Sequence, residues 1–207
     1  MALNAIGCKF VPLPVINPDF PHVKGKPTGC NLCPYRKIGA GFVPDYYGKS
    51  AKIALVLEAP GQTEYLQGTP LVGKAGRYWL RKLIEPNGYT REDCVICNTI
   101  RCRPPDNKYP TGKMRVHAET FCRRYDTELK RFNPNFYVCS LHPSALLRSP
   151  AALRLVQADV QKAFKFAEKG YRPVVLFGEK AAKKFLGVDV GIKKLRGDYG
   201  RWEYPDS

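Results

Sequence analysis

Acidic side chains are scarce in this chain of 207 residues, which has 18 Asp and Glu against 34 Lys and Arg. The resulting net charge of +16 favours a polyanionic partner, with nucleic acid as the first candidate and an acidic membrane surface as the second. No amphipathic basic helix with an aromatic and leucine face is evident, so the membrane alternative is the weaker one. A basic surface that only keeps the protein in solution is the remaining interpretation.

Long hydrophobic runs are also missing. No apolar stretch approaches the roughly 18 residues of a membrane span. The N-terminal residues MALNAIGCKFVPLPV lack the basic leader and apolar region of a secretion signal, so we expect an intracellular protein without a membrane partner. A hydrophobic content of 44% with 12% aromatic residues excludes a mostly disordered chain. Internal repeats and low-complexity linkers are absent, and the length suits one domain.

Four short apolar segments alternate with helical patterns along the chain. We predict strands at residues 51–59, 94–102, 136–141 and 172–178, and helices at 73–88, 117–132, 150–169 and 179–187. This alternation predicts an α/β fold with a central four-stranded, mainly parallel sheet and helices on both faces, an α/β/α sandwich. Residues 1–28, rich in proline, predict an extended N-terminal arm before a domain at 29–207. The basic, aromatic C-terminal tail predicts a loop and an edge strand.

Polar residues follow three of the predicted strands. Glu58 begins a loop with Pro60 and Gly61, Asn98 ends the next strand, and His142 begins the segment His-Pro-Ser. Ligands of parallel sheets bind at the carboxyl ends of the strands, so these side chains predict one site. The loop from Glu58 onward carries a second carboxylate, Glu64, and little side-chain bulk near the turn. It is suited to approach a ligand closely and to present an acid to it.

Eight cysteines in a chain expected to be intracellular favour a metal site or core thiols over disulfides. One candidate set holds zinc between two Cys-x-x-Cys pairs, and the other surrounds an iron–sulfur cluster. Residues three apart in a strand point to opposite faces, so Cys94 and Cys97 cannot both reach one metal. The second set is therefore favoured, with zinc at the same four residues as an alternative, and the remaining cysteines are read as core or arm residues. The first set is Cys30, Cys33, Cys94 and Cys97; the second is Cys30, Cys33, Cys102 and Cys122; the chain also has Cys8 and Cys139.

Four motifs together with the second cysteine set resemble the family 4 uracil-DNA glycosylases, which are iron–sulfur members of the uracil-DNA glycosylase superfamily. The motifs are LEAPGQTE, GTPLVGKAG, CNTIRCRPPDN and HPSALLR, and the resemblance covers about residues 29–148 and the later segment RPVVLFGEKAAKKFLG. Each motif is weak alone, and the combination is specific. The resemblance implies a monofunctional uracil-DNA glycosylase that hydrolyses N-glycosyl bonds in single- or double-stranded DNA during base-excision repair. It also implies a 4Fe-4S cluster and a monomer.

The resemblance further implies a role for each motif residue. Glu58 would position or activate the attacking water, and His142 would stabilise the charge that develops on uracil O2. Asn98 would bind the uracil edge, and Glu64 would crowd the 5-position of the base and reject thymine. The residues that it places at the DNA are Ser144, the wedge leucines Leu146 and Leu147, and the phosphate-binding Arg148.

The same residues suit this chemistry on physical grounds. Cleavage of an N-glycosidic bond gives a cationic sugar and an anionic base, so a carboxylate beside the sugar and a donor beside the base stabilise the transition state. An asparagine amide offers both a donor and an acceptor to a pyrimidine edge. Flipping the base costs a few kcal/mol, and an apolar wedge helps to stabilise the opened stack. The positive charge supplies sequence-independent binding to the DNA backbone.

Three features depart from the family pattern. Leu57 stands where the family has a glycine beside the base, and Leu71 stands where it has an aromatic that stacks on uracil. The His-Pro-Ser strand precedes another strand–helix unit instead of coming last, as if the last two units were exchanged; parallel strands would still bring His142 to the site. Two alternatives therefore remain, a DNA-binding protein without catalysis and a glycosylase for another deaminated base.

Overall fold

The computed structural model describes residue 30, residues 32–147 and residues 149–203 of the chain. The predicted arm at 1–28 and Arg148 lie outside the described residues. Within the described part, the elements form a single α/β domain built on one mixed sheet.

The sheet has six strands: β1 (Tyr46–Tyr47), β2 (Ile53–Leu57), β3 (Cys94–Asn98), β4 (Phe136–Ser140), β5 (Pro173–Phe177) and β6 (Tyr199–Arg201). Their order across the sheet is β1-β3-β2-β5-β4-β6. Its four central strands are parallel, as predicted, and the two outer strands are antiparallel to their neighbours. The prediction of four strands was therefore incomplete. β1 has two residues and leaves no pattern in the sequence, whereas β6 is the edge strand expected in the tail.

Seven α-helices lie within the described ranges. They are α1 (Gln62–Gln67), α2 (Lys74–Trp79), α3 (Gly112–Arg123), α4 (Thr127–Phe132), α5 (Pro150–Glu168), α6 (Gly178–Leu186) and α7 (Ile192–Leu195). None of these described helices has the length and apolar character required to cross a membrane.

Two predicted helices differ from the observed ones. The helix predicted at 73–88 consists of α2, a π-helical turn at Leu80–Ile84 and a 3-10 turn at Glu85–Asn87. The helix predicted at 117–132 begins earlier, at Gly112, and is interrupted between α3 and α4. The interruption occurs at Asp126, which has a non-helical ψ of 33° and a buried carboxylate paired with Arg101.

The central strands are buried on both faces, which explains their almost continuous apolar sequences. On one face, Leu55 of β2 belongs to a cluster that includes Trp79 at the end of α2 and Val156 of α5. On the other face, Val56 packs in a cluster with Leu129 of α4 and residues of α6 and α7. The predicted arrangement of helices on both faces of the sheet is confirmed.

β5 lies between β2 and β4, although it follows both in the chain. Leu57 at the end of β2 is in register with Asn98 at the end of β3, and Ser140 of β4 is in register with Phe177 of β5. The four parallel strands therefore end at one edge. The unusual order of the last two strand–helix units leaves the His142 segment at that edge, as expected.

Candidate active site

A cleft of about 610 Å³ opens where the parallel strands end. It brings together all the residues predicted to act in catalysis or base binding, together with one of those predicted to contact DNA. These lining residues are Leu57, Glu58, Glu64, Leu71, Asn98, His142 and Ser144. The cleft therefore joins the ends of β2, β3 and β4 to the loop before α2.

Glu58 follows β2 directly and enters this cleft. Its Oε1 accepts a hydrogen bond from the main-chain N–H of Lys180 in the first turn of α6, at 3.3 Å. Burial raises the pKa of the Glu58 carboxyl, and the Lys180 N–H and ammonium charge oppose that rise. The negative charge of this carboxylate is thus only partly compensated, which suits it to stabilise a nearby positive charge or to accept a proton.

Gly178 brings Glu58 and His142 together. It is the first residue of α6, has a φ of 83°, and connects β5 to the helix without a loop. A Cβ atom there would lie 2.5 Å from Glu58 Oε1 and 3.2 Å from the Cβ of His142. Only glycine accommodates both this backbone conformation and these contacts. Sequence analysis missed its role, although a glycine between a strand and a helix was visible.

His142 is oriented by the residue two positions later. The Ser144 main-chain N–H donates to His142 Nδ1 at 3.3 Å, and the Ser144 hydroxyl oxygen lies 3.0 Å from the same atom. Because a main-chain N–H can only donate, Nδ1 acts as an acceptor and the ring proton is assigned to Nε2. His142 is thereby prepared to donate from Nε2.

Asn98 is 3% exposed at the end of β3 and lines the cleft. The next residue fixes its position relative to Glu58: the Thr99 N–H donates to Leu57 O at 2.9 Å, and the Thr99 hydroxyl donates to Glu58 O at 2.5 Å. These bonds extend the ladder between β2 and β3 beyond the strands. The Asn98 amide and the Glu58 carboxylate are consequently held on adjoining strand ends.

Tyr109 is a cleft residue that sequence analysis missed. Its hydroxyl oxygen lies 2.6 Å from the hydroxyl of Thr99 and donates to Glu119 of α3 at 3.0 Å. The only sequence signal was an aromatic residue in a loop of polar residues and prolines. Tyr109 connects the cleft wall to α3 and supplies an aromatic ring at the site.

The loop before α2 forms another wall. Glu64 accepts a hydrogen bond from the Gly73 N–H at 2.6 Å, so its carboxylate joins the two glycine-containing loops. Leu71 is buried and has a φ of 59°, a backbone region that costs a non-glycine residue free energy. Arg91 holds this turn by donating to Pro70 O at 2.6 Å. Leu57 is also buried and packs in the core.

The predicted DNA-contacting residues occupy the turn at Pro143–Leu147 and the residue after it. Ser144 lines the cleft, whereas Leu146 is buried in the core cluster. A wedge at Leu146 would therefore require this turn to change conformation. Leu147 ends the turn, and Arg148 lies outside the described residues.

The four cysteines of the favoured set lie in one small hydrophobic cluster with Tyr35 and Phe42. In the described part of the chain, no group of three or more His, Cys, Asp or Glu side chains is arranged to hold a metal ion. Cys94 and Cys97 belong to different core clusters on opposite faces of the sheet, as predicted. Burial raises the pKa of Cys94 and of Cys139 to about 12, so both remain protonated at neutral pH.

The sequence profile of the Uracil DNA glycosylase superfamily matches residues 44–168, more than half of the chain. The chain belongs to this superfamily. The matched region of the chain contains Glu58, Asn98 and His142, whereas Gly178 follows it.

Three similar curated proteins are each named Type-4 uracil-DNA glycosylase. The protein from Archaeoglobus fulgidus is 36% identical over 110 residues, which is 53% of this chain and 53% of the relative. The protein from Thermotoga maritima is 28% identical over 177 residues, covering 68% of this chain and 90% of the relative. The protein from Saccharolobus solfataricus is 40% identical over 81 residues, or 39% of this chain and 38% of the relative. The match thus spans about half of the first of these superfamily members and most of the second.

Proposed function

We propose that this chain is a uracil-DNA glycosylase that hydrolyses the N-glycosidic bond of uracil in DNA and leaves an abasic site. The proposal rests chiefly on the approach of Glu58 and His142 to Gly178 in a cleft that also contains Asn98. A carboxylate and an imidazole donor on neighbouring strand ends suit a reaction that separates positive from negative charge. The names of the similar proteins support the same substrate.

In the proposed reaction, the bond between sugar C1′ and the base nitrogen breaks, and its electron pair leaves with the base. Glu58 stabilises the cationic sugar and positions the water that adds to C1′. The His142 Nε2–H donates to the base oxygen on which negative charge accumulates. The water proton leaves through the carboxylate or solvent, and the base takes up a proton, so that charge and atoms balance.

Base selection is assigned to three residues around this centre. Asn98 is nearly fully buried, so its amide would be costly to leave unpaired and would favour a base edge with a matching donor and acceptor. Glu64, tied to Gly73, would narrow the cleft beside the 5-position. Leu71 offers an aliphatic surface where the resemblance leads one to expect an aromatic ring.

The proposed partner is DNA, bound by a monomer through its phosphates. The formal charge of +16 supports this assignment, because neutralising phosphates releases counterions and provides affinity without sequence preference. The turn at Pro143–Leu147, which contains Ser144, is proposed to face the opened base stack. Leu146, Leu147 and Arg148 complete this proposed DNA contact.

We also propose that Cys30, Cys33, Cys102 and Cys122 bind a 4Fe-4S cluster. Four thiol donors in one hydrophobic cluster are the ligand set that such a cluster uses. The buried hydroxyl of Tyr35 makes no hydrogen bond to any described residue, and a cluster sulfur would give it an acceptor. When bound, the cluster would link the segment around Cys30 to the segment after β3 and to α3.

The decisive experiment measures alkali-sensitive cleavage of an oligonucleotide that contains one uracil. Matched strands with thymine, hypoxanthine or xanthine establish the preferred base. We expect cleavage at uracil by the wild type and a loss with Glu58→Gln, whereas Glu168→Gln, an exposed carboxylate at the end of α5, should retain it. Absence of cleavage at uracil by a folded, iron-loaded protein would refute the proposed function.

A second function is favoured by one observation, the burial of Leu57 and Leu71 in the cleft wall. A changed wall alters base preference more readily than it removes the catalytic groups. The second candidate is therefore a glycosylase for another deaminated base, and cleavage at hypoxanthine or xanthine in preference to uracil would support it.

A further inference from the structure

A second concave surface lies on the outer side of α2 and the π-helical turn that follows it. It has a volume of about 400 Å³ and is lined by Lys74, Arg77, Tyr78, Arg81 and Lys82. We call this surface the α2 groove. It contains four cations and one aromatic side chain and no acidic residue.

The spacing of these residues explains the groove. Positions 74, 77, 78, 81 and 82 follow one another at intervals that place them on one face of a helix. On the opposite face of the helix, Trp79 and Leu83 are buried in the core cluster that packs on the sheet. The helix therefore separates a cationic outer stripe from an apolar inner stripe.

The cations of the α2 groove are not neutralised by neighbouring carboxylates. Within the described residues, no salt bridge involves Lys74, Arg77, Arg81 or Lys82. Some cations elsewhere in the described residues are paired, as Lys183 is with Glu179 at 2.9 Å. Like charges three or four positions apart on a helix repel each other, so this stripe costs stability unless a polyanion approaches it.

The groove also adjoins the candidate active site. Ala75 and Gly76, which lie between the first two groove cations, line the active-site cleft. α2 packs against the turn at Pro143–Leu147, which contains the proposed DNA contact. At a rise of about 1.5 Å per residue, positions 74 to 82 span about 12 Å along the helix axis. This length corresponds to roughly three phosphates along one DNA strand.

We infer that the α2 groove binds the phosphates of the duplex strand beside the flipped nucleotide. Arginine and lysine pair with the phosphates, and Tyr78 supplies an apolar surface for the sugar. The position of the bound strand relative to the cleft rests on the proposed function, but the affinity for a phosphate backbone does not. A basic face of this kind also attracts anionic membranes, so the experiment distinguishes binding to DNA from binding to anionic phospholipid.

The test uses the full chain and the double variant Arg81→Gln/Lys82→Gln. These two residues are exposed and are the groove cations furthest along the helix from the cleft. The matched control is Lys165→Gln/Lys169→Gln, which removes two exposed cations near the end of α5. Both variants lose the same charge, and fluorescence anisotropy measures the affinity of each for an undamaged DNA duplex at several salt concentrations.

We expect the groove variant to lose on the order of tenfold in affinity and to reduce the log–log salt slope by about 2, with a much smaller change in the control. Cleavage at saturating DNA, where the wild type is active, should be unaffected. Equal losses in both variants would overturn the inference, because they would reveal only a general charge effect. So would an unchanged DNA affinity accompanied by weaker binding to vesicles of anionic phospholipid. If no variant cleaves uracil but the groove variant alone loses duplex affinity, the proposed function fails and the groove inference stands.

Discussion

Arg101 donates through Nη2 to a carboxylate oxygen of Asp126 at 2.9 Å, in an ion pair whose side chains are each 1% exposed. Asp45 accepts two further bonds from the same guanidinium, and Lys184 lies 3.4 Å from the second oxygen of Asp126. Arg101 also donates to the main-chain oxygen of Cys122 at 2.8 Å. This network connects the segment after Asn98 to the cysteine cluster.

Loss of one charge from this network should destabilise the fold. We expect Asp126→Asn to lower the free energy of unfolding by about 3–5 kcal/mol, because it leaves buried cations without sufficient compensation. Asp189→Asn is the matched control, since Asp189 is 96% exposed in its pair with Lys183. Urea denaturation measures the free energy of unfolding of both variants. Equal denaturation midpoints would contradict a structural role for the network.

Glu58 should limit both activity and stability. Glu58→Gln is expected to slow uracil cleavage by about 10²–10³-fold, the usual cost of a lost charge stabiliser, with little change in DNA affinity. Single-turnover kinetics at saturating DNA separate the two effects. An equal loss in affinity and in rate would indicate a binding role instead.

The pH dependence of the free energy of unfolding should reveal the raised pKa of Glu58 independently of the activity assay. Its folded-state pKa is raised, so the folded protein retains this proton to higher pH than the unfolded chain does. The stability contributed by protonated Glu58 is therefore lost as pH rises from the unfolded pKa through the folded one. At neutral pH, the free energy of unfolding of Glu58→Gln should exceed that of the wild type by about 1.4 kcal/mol for each unit of the pKa shift. At pH below both pKa values, the two proteins should be similarly stable. Thermal denaturation across that pH range measures the difference, and a constant offset would contradict it.

Ser144 should act through His142. Ser144→Ala removes the hydroxyl near Nδ1 but keeps the main-chain N–H bond, so we expect a loss of about tenfold in cleavage rate at most. His142→Ala should cost about 10²–10³-fold, because it removes the donor itself. NMR of the imidazole nitrogens should show the proton on Nε2 in the wild type; a proton on Nδ1 would exclude the assigned tautomer.

Iron content should distinguish the two groups of cysteines. The wild type is expected to hold about four iron atoms, and Cys122→Ser is expected to lose them. The variant should also lose stability, because the cluster would link separate segments of the chain. Cys139→Ser is the control, as Cys139 is fully buried in a core cluster away from the other four. Metal analysis after anaerobic purification that finds zinc, or iron retained by Cys122→Ser, would contradict the proposed ligand set.

The central fold was predictable because its strands are continuous apolar runs, and parallel strands deliver Glu58, Asn98 and His142 to one edge. β1 was missed because two residues carry no periodicity. The interruption at Asp126 depends on Arg101 and Lys184, which are distant in sequence. Gly178 acquires its role only through contacts with Glu58 and His142, far earlier in the chain. Local patterns therefore predicted the elements, whereas partners remote in sequence decided where one helix breaks and which glycine is required.

The place of β5 between β2 and β4 has a consequence for synthesis on the ribosome. Until residues 173–177 have emerged, the strand that leads to His142 has neither of its two neighbours in the sheet, because its other partner, β6, comes later still. Before β5 emerges, the nascent chain thus carries a sheet fragment of β1, β3 and β2 and an unpaired β4; β5 then joins the two, and β6 pairs last. Glu58 and His142 meet only when α6 has been made, so an incomplete chain carries both groups without an assembled site.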